Sequence, residues 1–133
     1  MDSPNNHEVT FIKSFIVKDR QERFLALVQS KKNRNKFRLL LAHKLELKKE
    51  KILSIRKEED NEEQIYKLLR QNGSPDICHI ICESSKYDDK EMDLKEAINE
   101  LFNMDFGYII SCIPGKLAYY QGEDIFNKAI LLN

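Results

Sequence analysis

Long apolar runs, glycine-rich loops and paired cysteines are all missing from this chain of 133 residues. Its four glycines form neither a phosphate-binding loop nor a dinucleotide-binding fingerprint, which disfavours an ordinary ATP, GTP or NAD enzyme. No apolar run approaches the roughly 18 residues of a spanning helix. The N-terminal stretch MDSPNNHE also lacks the basic start and apolar core of a secretory signal. We therefore expect a cytoplasmic protein that has no membrane partner.

The three cysteines are an odd number, which fits a reducing compartment better than a disulfide framework. His79 lies between Cys78 and Cys82, a pattern that raises the question of a metal site. In an extended strand, however, the two sulfur atoms are about 13 Å apart, too far for one zinc ion or one disulfide. We therefore interpret the cysteines as small hydrophobic residues and predict no metal site and no cofactor.

Charge is unevenly distributed, although the whole chain has a net charge of zero. Residues 1–57 contain 15 Lys and Arg against six Asp and Glu, a balance of +9. Residues 58–133 contain seven against 16, a balance of −9. Such asymmetry indicates a basic surface for an anionic partner, or two halves that attract each other or a second copy of the chain. The sequence alone favours the second interpretation.

Helical periodicity dominates the first half of the chain. We expect residues 1–8 to be loose and residues 9–73 to be mainly helical. Apolar residues at helical spacing predict a first helix over 8–17, for which a strand is the competing interpretation. Residues 44–57 fit the periodicity of a helix and that of a strand, so their structure stays open.

Capping signals locate two further helices in this half. Asp19 and Glu22 have the spacing of a capping box and predict the start of a helix that ends near residue 29. Asn61 and Gln64 predict a helix start in the same way, and Gly73 marks the expected end of that helix.

The second half alternates apolar runs with one helical segment. Residues 77–82, ICHIIC, predict a buried strand, and residues 107–113 predict another. Between them, a loop over 84–92 is followed by Asp93 and Glu96, which have capping-box spacing and precede an apolar stripe that ends at Phe102. Strand, helix and strand with short joints indicate a βαβ unit, whose two strands are parallel with a right-handed crossover.

A turn at Pro114 and Gly115 follows, for which we expect about four residues rather than a minimal hairpin. A third strand over 117–121 returns antiparallel, and residues 125–132 predict an edge strand or a short helix. The sequence therefore predicts one α+β domain over 1–133. In it, a helical N-terminal half packs on a small mixed sheet over 76–133, which contains the βαβ unit and the antiparallel strand.

Candidate catalytic residues follow from this topology, because ligands favour the carboxyl ends of parallel strands. That edge is predicted to gather an acidic loop, a thiol and a lysine: Glu83, Asp88, Asp89, Cys112 and Lys116. The carboxylates are suited to magnesium binding or to acid–base work. A lysine beside Cys112 would lower the pKa of the thiol. The simpler interpretation is a polar strand end, a solvated loop and an inert core thiol.

A basic segment over 31–38, KKNRNKFR, is the candidate nucleic-acid contact. Its five cations are Lys31, Lys32, Arg34, Lys36 and Arg38. They suit phosphate binding at the start of a helix, such as the second helix of a helix-turn-helix. The competing interpretation is a solvated basic face on a helix whose apolar residues point inward.

Two functions from different classes remain. The first is a non-enzymatic binding or regulatory module that acts through a protein or nucleic-acid partner, with a homodimer as one form of self-association. The second is a small metal-assisted hydrolase that acts on a phosphate-containing substrate. The first is favoured because no motif fixes a reaction, and the sequence leaves open whether there is any catalysis.

Overall fold

The computed structural model describes residues 6–42, 45–123 and 128–133. Its helices are α1 (Asn6–Phe15), α2 (Lys18–Gln29), α3 (Arg34–Leu40), α4 (Glu62–Gln71) and α5 (Leu94–Leu101). Its strands are β1 (Ile52–Leu53), β2 (Ile77–Cys82), β3 (Lys90–Asp93), β4 (Tyr108–Ile113), β5 (Leu117–Gln121) and β6 (Lys128–Leu132). The predicted α+β class, with helices in the N-terminal half, is confirmed.

The strands form one sheet in the order β1-β6-β5-β4-β2-β3, and every neighbouring pair is antiparallel. The predicted mixed sheet with a parallel β2–β4 pair is therefore wrong. The reason is β3, which forms a hairpin with β2 and lies in a segment that we expected to be a loop. Because β3 reverses the chain before α5, β4 runs parallel to β3 but antiparallel to β2, which lies between them.

Helices cover both faces of the sheet. Alternate residues of β2 point to opposite sides, so Ile81 packs with α1, α2 and α3, whereas Ile80 packs with α4 and α5. The layer of α1–α3 buries Phe11, Ile12 and Phe15 to 1% exposure or less. Burial of an aromatic or aliphatic side chain of this size contributes about 1.5–3 kcal/mol, so this face anchors the N-terminal half.

Several local predictions are confirmed. Asn61 and Asp93 cap α4 and α5, and their side chains accept hydrogen bonds from Gln64 N and Glu96 N. Lys116 N donates to Ile113 O at 2.9 Å, and Gly115 has the positive φ of +70° that a type II turn requires at its third residue. These signals were readable because each depends on neighbours in the chain.

Other local predictions are wrong. Residues 6–8 belong to α1, so the part of the expected loose N-terminus that lies within the described residues is helical. The capping box at Asp19 does not form, because α2 already begins at Lys18, after Val17, without a side-chain cap. The sequence left segment 44–57 open between helix and strand, and its described part, 45–57, contains a bridge from Leu47 to Ile16, one turn of 3-10 helix over Lys49–Lys51 and the short β1.

No helix within the described parts of the chain is long and apolar enough to cross a membrane. The β3 edge of the sheet carries the charged residues Lys90, Glu91 and Asp93, which protect an open edge against pairing with another chain.

Candidate functional site

A group of polar side chains lies between the α1–α3 layer and the β2–β3 end of the sheet. We call it the polar cluster, and its members are Glu8, Arg34, Arg38, His79, Asp88 and Asp89. Glu8 and His79 are only 2% and 1% exposed. Burial of charged groups is unfavourable unless they are paired, so the partners within this cluster decide its chemistry.

Glu8 enters the cluster because it occupies a core position of α1. It shares the buried face of the helix with Phe11, Ile12 and Phe15, at spacings of three, four and seven residues. One carboxylate oxygen, Oε1, accepts a hydrogen bond from Arg34 Nη1, and the other, Oε2, lies 3.1 Å from His79 Nε2. Burial raises the pKa of Glu8, but the hydrogen bonds with His79 and Arg34 outweigh it and lower the pKa overall.

Two arginines of α3 tie the helix to the loop between β2 and β3. Arg34 donates to both oxygens of Asp88 at 3.1 Å, and Arg38 Nε lies 3.5 Å from Asp88 Oδ2. Arg38 also donates to the carbonyl oxygens of Cys82 and Glu83, at 2.9 and 2.6 Å. Burial lowers the pKa of Arg34, and its pairing with the two carboxylates more than offsets that effect. These arginines therefore point into the protein.

His79 faces a second carboxylate as well. Its Nε2 lies 3.6 Å from Oδ1 of Asp89, whose side chain is 62% exposed. The ring of His7 stacks on that of His79 with centroids 5.3 Å apart, and His7 Nδ1 lies 2.7 Å from Ser111 Oγ. Burial, and then the neighbouring His79, lower the pKa of His7. Within the described residues, the other ring nitrogen of His79, Nδ1, has no hydrogen-bond partner.

The structure separates the five predicted catalytic residues into two groups. Glu83, Asp88 and Asp89 lie at the β2–β3 loop, but Glu83 Oε2 accepts a hydrogen bond from Gly107 N at 2.7 Å and Asp88 is paired with arginines. Cys112 and Lys116 lie at the other end of the sheet, because β4 runs antiparallel to β2. The expectation that these residues share one edge is therefore wrong.

The cysteines are buried and are not joined in disulfides. Contact with Cys78, together with burial, raises the pKa of Cys112. Burial raises the pKa of Cys82 to about 12. A thiol with a raised pKa is a poor nucleophile at neutral pH, which favours the interpretation of Cys112 as a core residue.

The predicted nucleic-acid contacts also separate into two groups. Arg34 and Arg38 belong to the polar cluster, whereas Lys31, Lys32 and Lys36 are exposed. Across the described ranges, no ion pair joins these three lysines to a carboxylate. We call Lys31, Lys32 and Lys36 the basic surface.

The opposite face of the molecule is acidic. Residues 58–76 and 93–105, which contain α4 and α5, have ten Asp and Glu against three Lys and Arg. Residues 6–42, which contain α1–α3, have nine Lys and Arg against three Asp and Glu. A groove of about 840 Å³ lies between α4 and α5, and four of its lining residues are Glu62, Glu63, Asp93 and Glu96. The sheet thus separates a layer of +6 from one of −7.

Sequence patterns did not identify Glu8, His7 or the partners of His79 as members of a site. A signal for Glu8 existed, because it interrupts the apolar positions of α1 and a carboxylate there needs a buried partner. His79 also lies at an inward position of an apolar strand. Their pairing joins residues 71 positions apart, which no local pattern reveals.

The chain matches no protein-family model, no curated protein and no solved structure.

Proposed function

We propose that the protein is a non-enzymatic binding module that contacts the phosphate backbone of a nucleic acid through the basic surface of Lys31, Lys32 and Lys36. The observation that carries this proposal is that these three lysines are exposed and that no carboxylate of residues 6–42, 45–123 and 128–133 forms an ion pair with them. Lysines in that state are available to neutralise phosphates and release condensed counterions. Two neighbouring cations, Arg34 and Arg38, are paired with Asp88 and are not counted in the basic surface.

The charge distribution supports the same function. The basic surface belongs to the layer with a balance of +6, and the acidic helices lie behind the sheet. A polyanion that approaches the α1–α3 side therefore meets a surface with a net positive charge, which favours association. Few aromatic residues accompany the lysines, so recognition rests on the backbone rather than on stacked bases.

The alternative, a metal-assisted hydrolase with Glu83, Asp88, Asp89, Lys116 and Cys112, has less support. Its candidates lie at two ends of the sheet, and the carboxylates of Glu83 and Asp88 already have partners. A protein partner and a homodimer stay predictions. We place the nucleic acid first because the exposed lysines fit phosphates directly.

The test is the affinity for short duplex DNA and single-stranded RNA, measured by fluorescence anisotropy over a range of salt concentrations. We expect the triple variant Lys31→Gln, Lys32→Gln, Lys36→Gln to bind about tenfold more weakly or worse at low salt. The slope of log K against log salt should decrease by about 2–3 for the duplex, because each lost phosphate contact removes about 0.9.

The matched control replaces three exposed lysines elsewhere with glutamine: Lys57, Lys95 and Lys116. Both triple variants remove three positive charges, so only position differs. Retained affinity in the control supports the proposal. Equal weakening in both variants, or no binding of either nucleic acid by the parent protein, contradicts it.

A further inference from the structure

Three side chains of the polar cluster converge with the chemistry of a metal site. His79 Nε2 lies 3.1 Å from Glu8 Oε2 and 3.6 Å from Asp89 Oδ1, and each of the three residues offers a ligand atom within 4.8 Å of those of the other two. Imidazole nitrogen and carboxylate oxygen bind zinc at about 2.0–2.2 Å, so two ligands of one ion are separated by about 3.0–3.6 Å, as in the two pairs that His79 forms. We propose that Glu8, His79 and Asp89 bind one divalent transition-metal cation of the Zn²⁺ or Mn²⁺ class.

The position of His79 is a second reason for a cation. The residue is 1% exposed, and its Nε2 faces the carboxylates of both Glu8 and Asp89. A neutral imidazole has one N–H, which at Nε2 satisfies only one of the two carboxylates that it faces. A cation at that position compensates both carboxylates at once, and neutral imidazole is the form that binds a metal.

The net charge around the site also favours a bound cation. Four carboxylates lie in the cluster or beside it, Glu8, Asp88, Asp89 and Glu91, of which Glu91 is opposite His79 on β3. Two arginines oppose them, Arg34 and Arg38. The four carboxylates outnumber the two arginines by two, an excess of negative charge that one divalent cation cancels.

The hydrogen bond from Arg34 to Glu8 and the exposure of Asp89 fit the same site. Arg34 holds Oε1 of Glu8, which directs Oε2 towards His79, and outer hydrogen bonds of this kind orient metal ligands. Glu8 and His79 supply buried ligands, whereas Asp89 is exposed and leaves one side of the site open to solvent. Three protein ligands with an open side form a site that water or another small ligand completes.

The experiment is metal binding by the full chain, first stripped with a chelator and then titrated with Zn²⁺ or Mn²⁺ in a calorimeter. We expect one ion per chain and a higher unfolding midpoint, because a ligand of the folded state stabilises it by mass action. The variant Asp89→Asn should bind at least about tenfold more weakly. Asn tolerates the φ of +59° at this exposed position, so the variant is expected to fold.

Asp105→Asn is the matched control, since Asp105 is exposed and lies outside the cluster. Binding of one ion that is weakened by Asp89→Asn and unchanged by Asp105→Asn supports the proposal. No binding at about millimolar ion, or binding that both variants leave unchanged, overturns it. A cobalt titration adds a second readout, because Co²⁺ bound to His79 gives a visible absorption band that His79→Gln must abolish.

Discussion

Arg34 pairs with two carboxylates whose side chains are largely buried. Its guanidinium contacts Glu8 and Asp88, whose side chains are 3% and 9% exposed. Replacement by glutamine removes the charge and leaves both carboxylates in a poorly solvated region. Removal of one partner from a buried ion pair costs about 3–5 kcal/mol. We therefore expect Arg34→Gln to lower the free energy of unfolding by that amount, measured by urea denaturation in the presence of a chelator.

Arg20→Gln provides the comparison for this prediction. Arg20 also forms an ion pair with a carboxylate, Glu46, but the two side chains are 49% and 52% exposed. Surface pairs contribute about 0–1 kcal/mol, so this variant should unfold almost as the parent does. Similar losses for both variants would show that the pairing of Arg34 contributes no more than a surface contact.

At the residue scale, the sequence could predict residue types but not their partners. The five cations between 31 and 38 looked equivalent, yet Arg34 and Arg38 pair with Asp88, whereas the three lysines are exposed and form no ion pair with a carboxylate in the part of the chain that the structure describes. The difference depends on which side of α3 faces the β2–β3 loop, and that loop is about 50 residues away in the chain. Glu8 was readable in principle from its position among the apolar residues of α1.

At the scale of elements, the close contact between the end of α3 and the start of β4 depends on Gly107. A Cβ atom there would lie 2.4 Å from the backbone carbonyl of Leu41 and 2.7 Å from Ala42 N. Backbone atoms cannot move aside as a flexible side chain does. We expect Gly107→Ala to lower the free energy of unfolding by about 3 kcal/mol, the upper part of the range for overpacking.

Gly73→Ala is the control that separates a steric clash from the backbone strain of replacing a glycine that has a positive φ. Gly73 has a φ of +102°, but an added Cβ meets only Ile113 Cδ1 at 3.5 Å. The expected cost is roughly 1–2 kcal/mol, from the left-handed backbone alone. Urea denaturation of both variants gives the two losses in the free energy of unfolding. A loss for Gly107→Ala that does not exceed the loss for Gly73→Ala would contradict the close packing of residues 41–42 on β4.

Elements with strong local signals were predictable, but the predicted strand directions were wrong because one strand with a weak signal, β3, was missed. The apolar strands β2, β4 and β5 and the capped helices α4 and α5 could be found from pattern alone. The strand β3, with the sequence KEMD, is short, largely exposed and without apolar alternation, because it lies at an edge. When β3 is missed, the sequence predicts a direct βαβ crossover from β2 to β4 and therefore the wrong direction for β4.

At the scale of the whole molecule, the two charged layers do not neutralise each other, because the sheet lies between them. The layer of α1–α3 has a balance of +6 and the layer of α4 and α5 a balance of −7. A second copy can therefore place its basic layer against the acidic layer of the first without a change in fold. Such a contact joins unlike surfaces, so it is heterologous and extends rather than closing as a two-fold dimer.

We expect this contact to form at low ionic strength and to disappear near physiological salt. The screening length is about 30 Å at 0.01 M and about 8 Å at 0.15 M. Sedimentation velocity should show a sedimentation coefficient that increases with protein concentration only at the lower salt. The variant with Lys31, Lys32 and Lys36 replaced by glutamine should lose this increase. The variant with Lys57, Lys95 and Lys116 replaced has the same net charge of −3 and should keep the concentration-dependent increase in sedimentation coefficient. If the two variants behave identically, association depends on net charge and not on the separation of charge across the sheet.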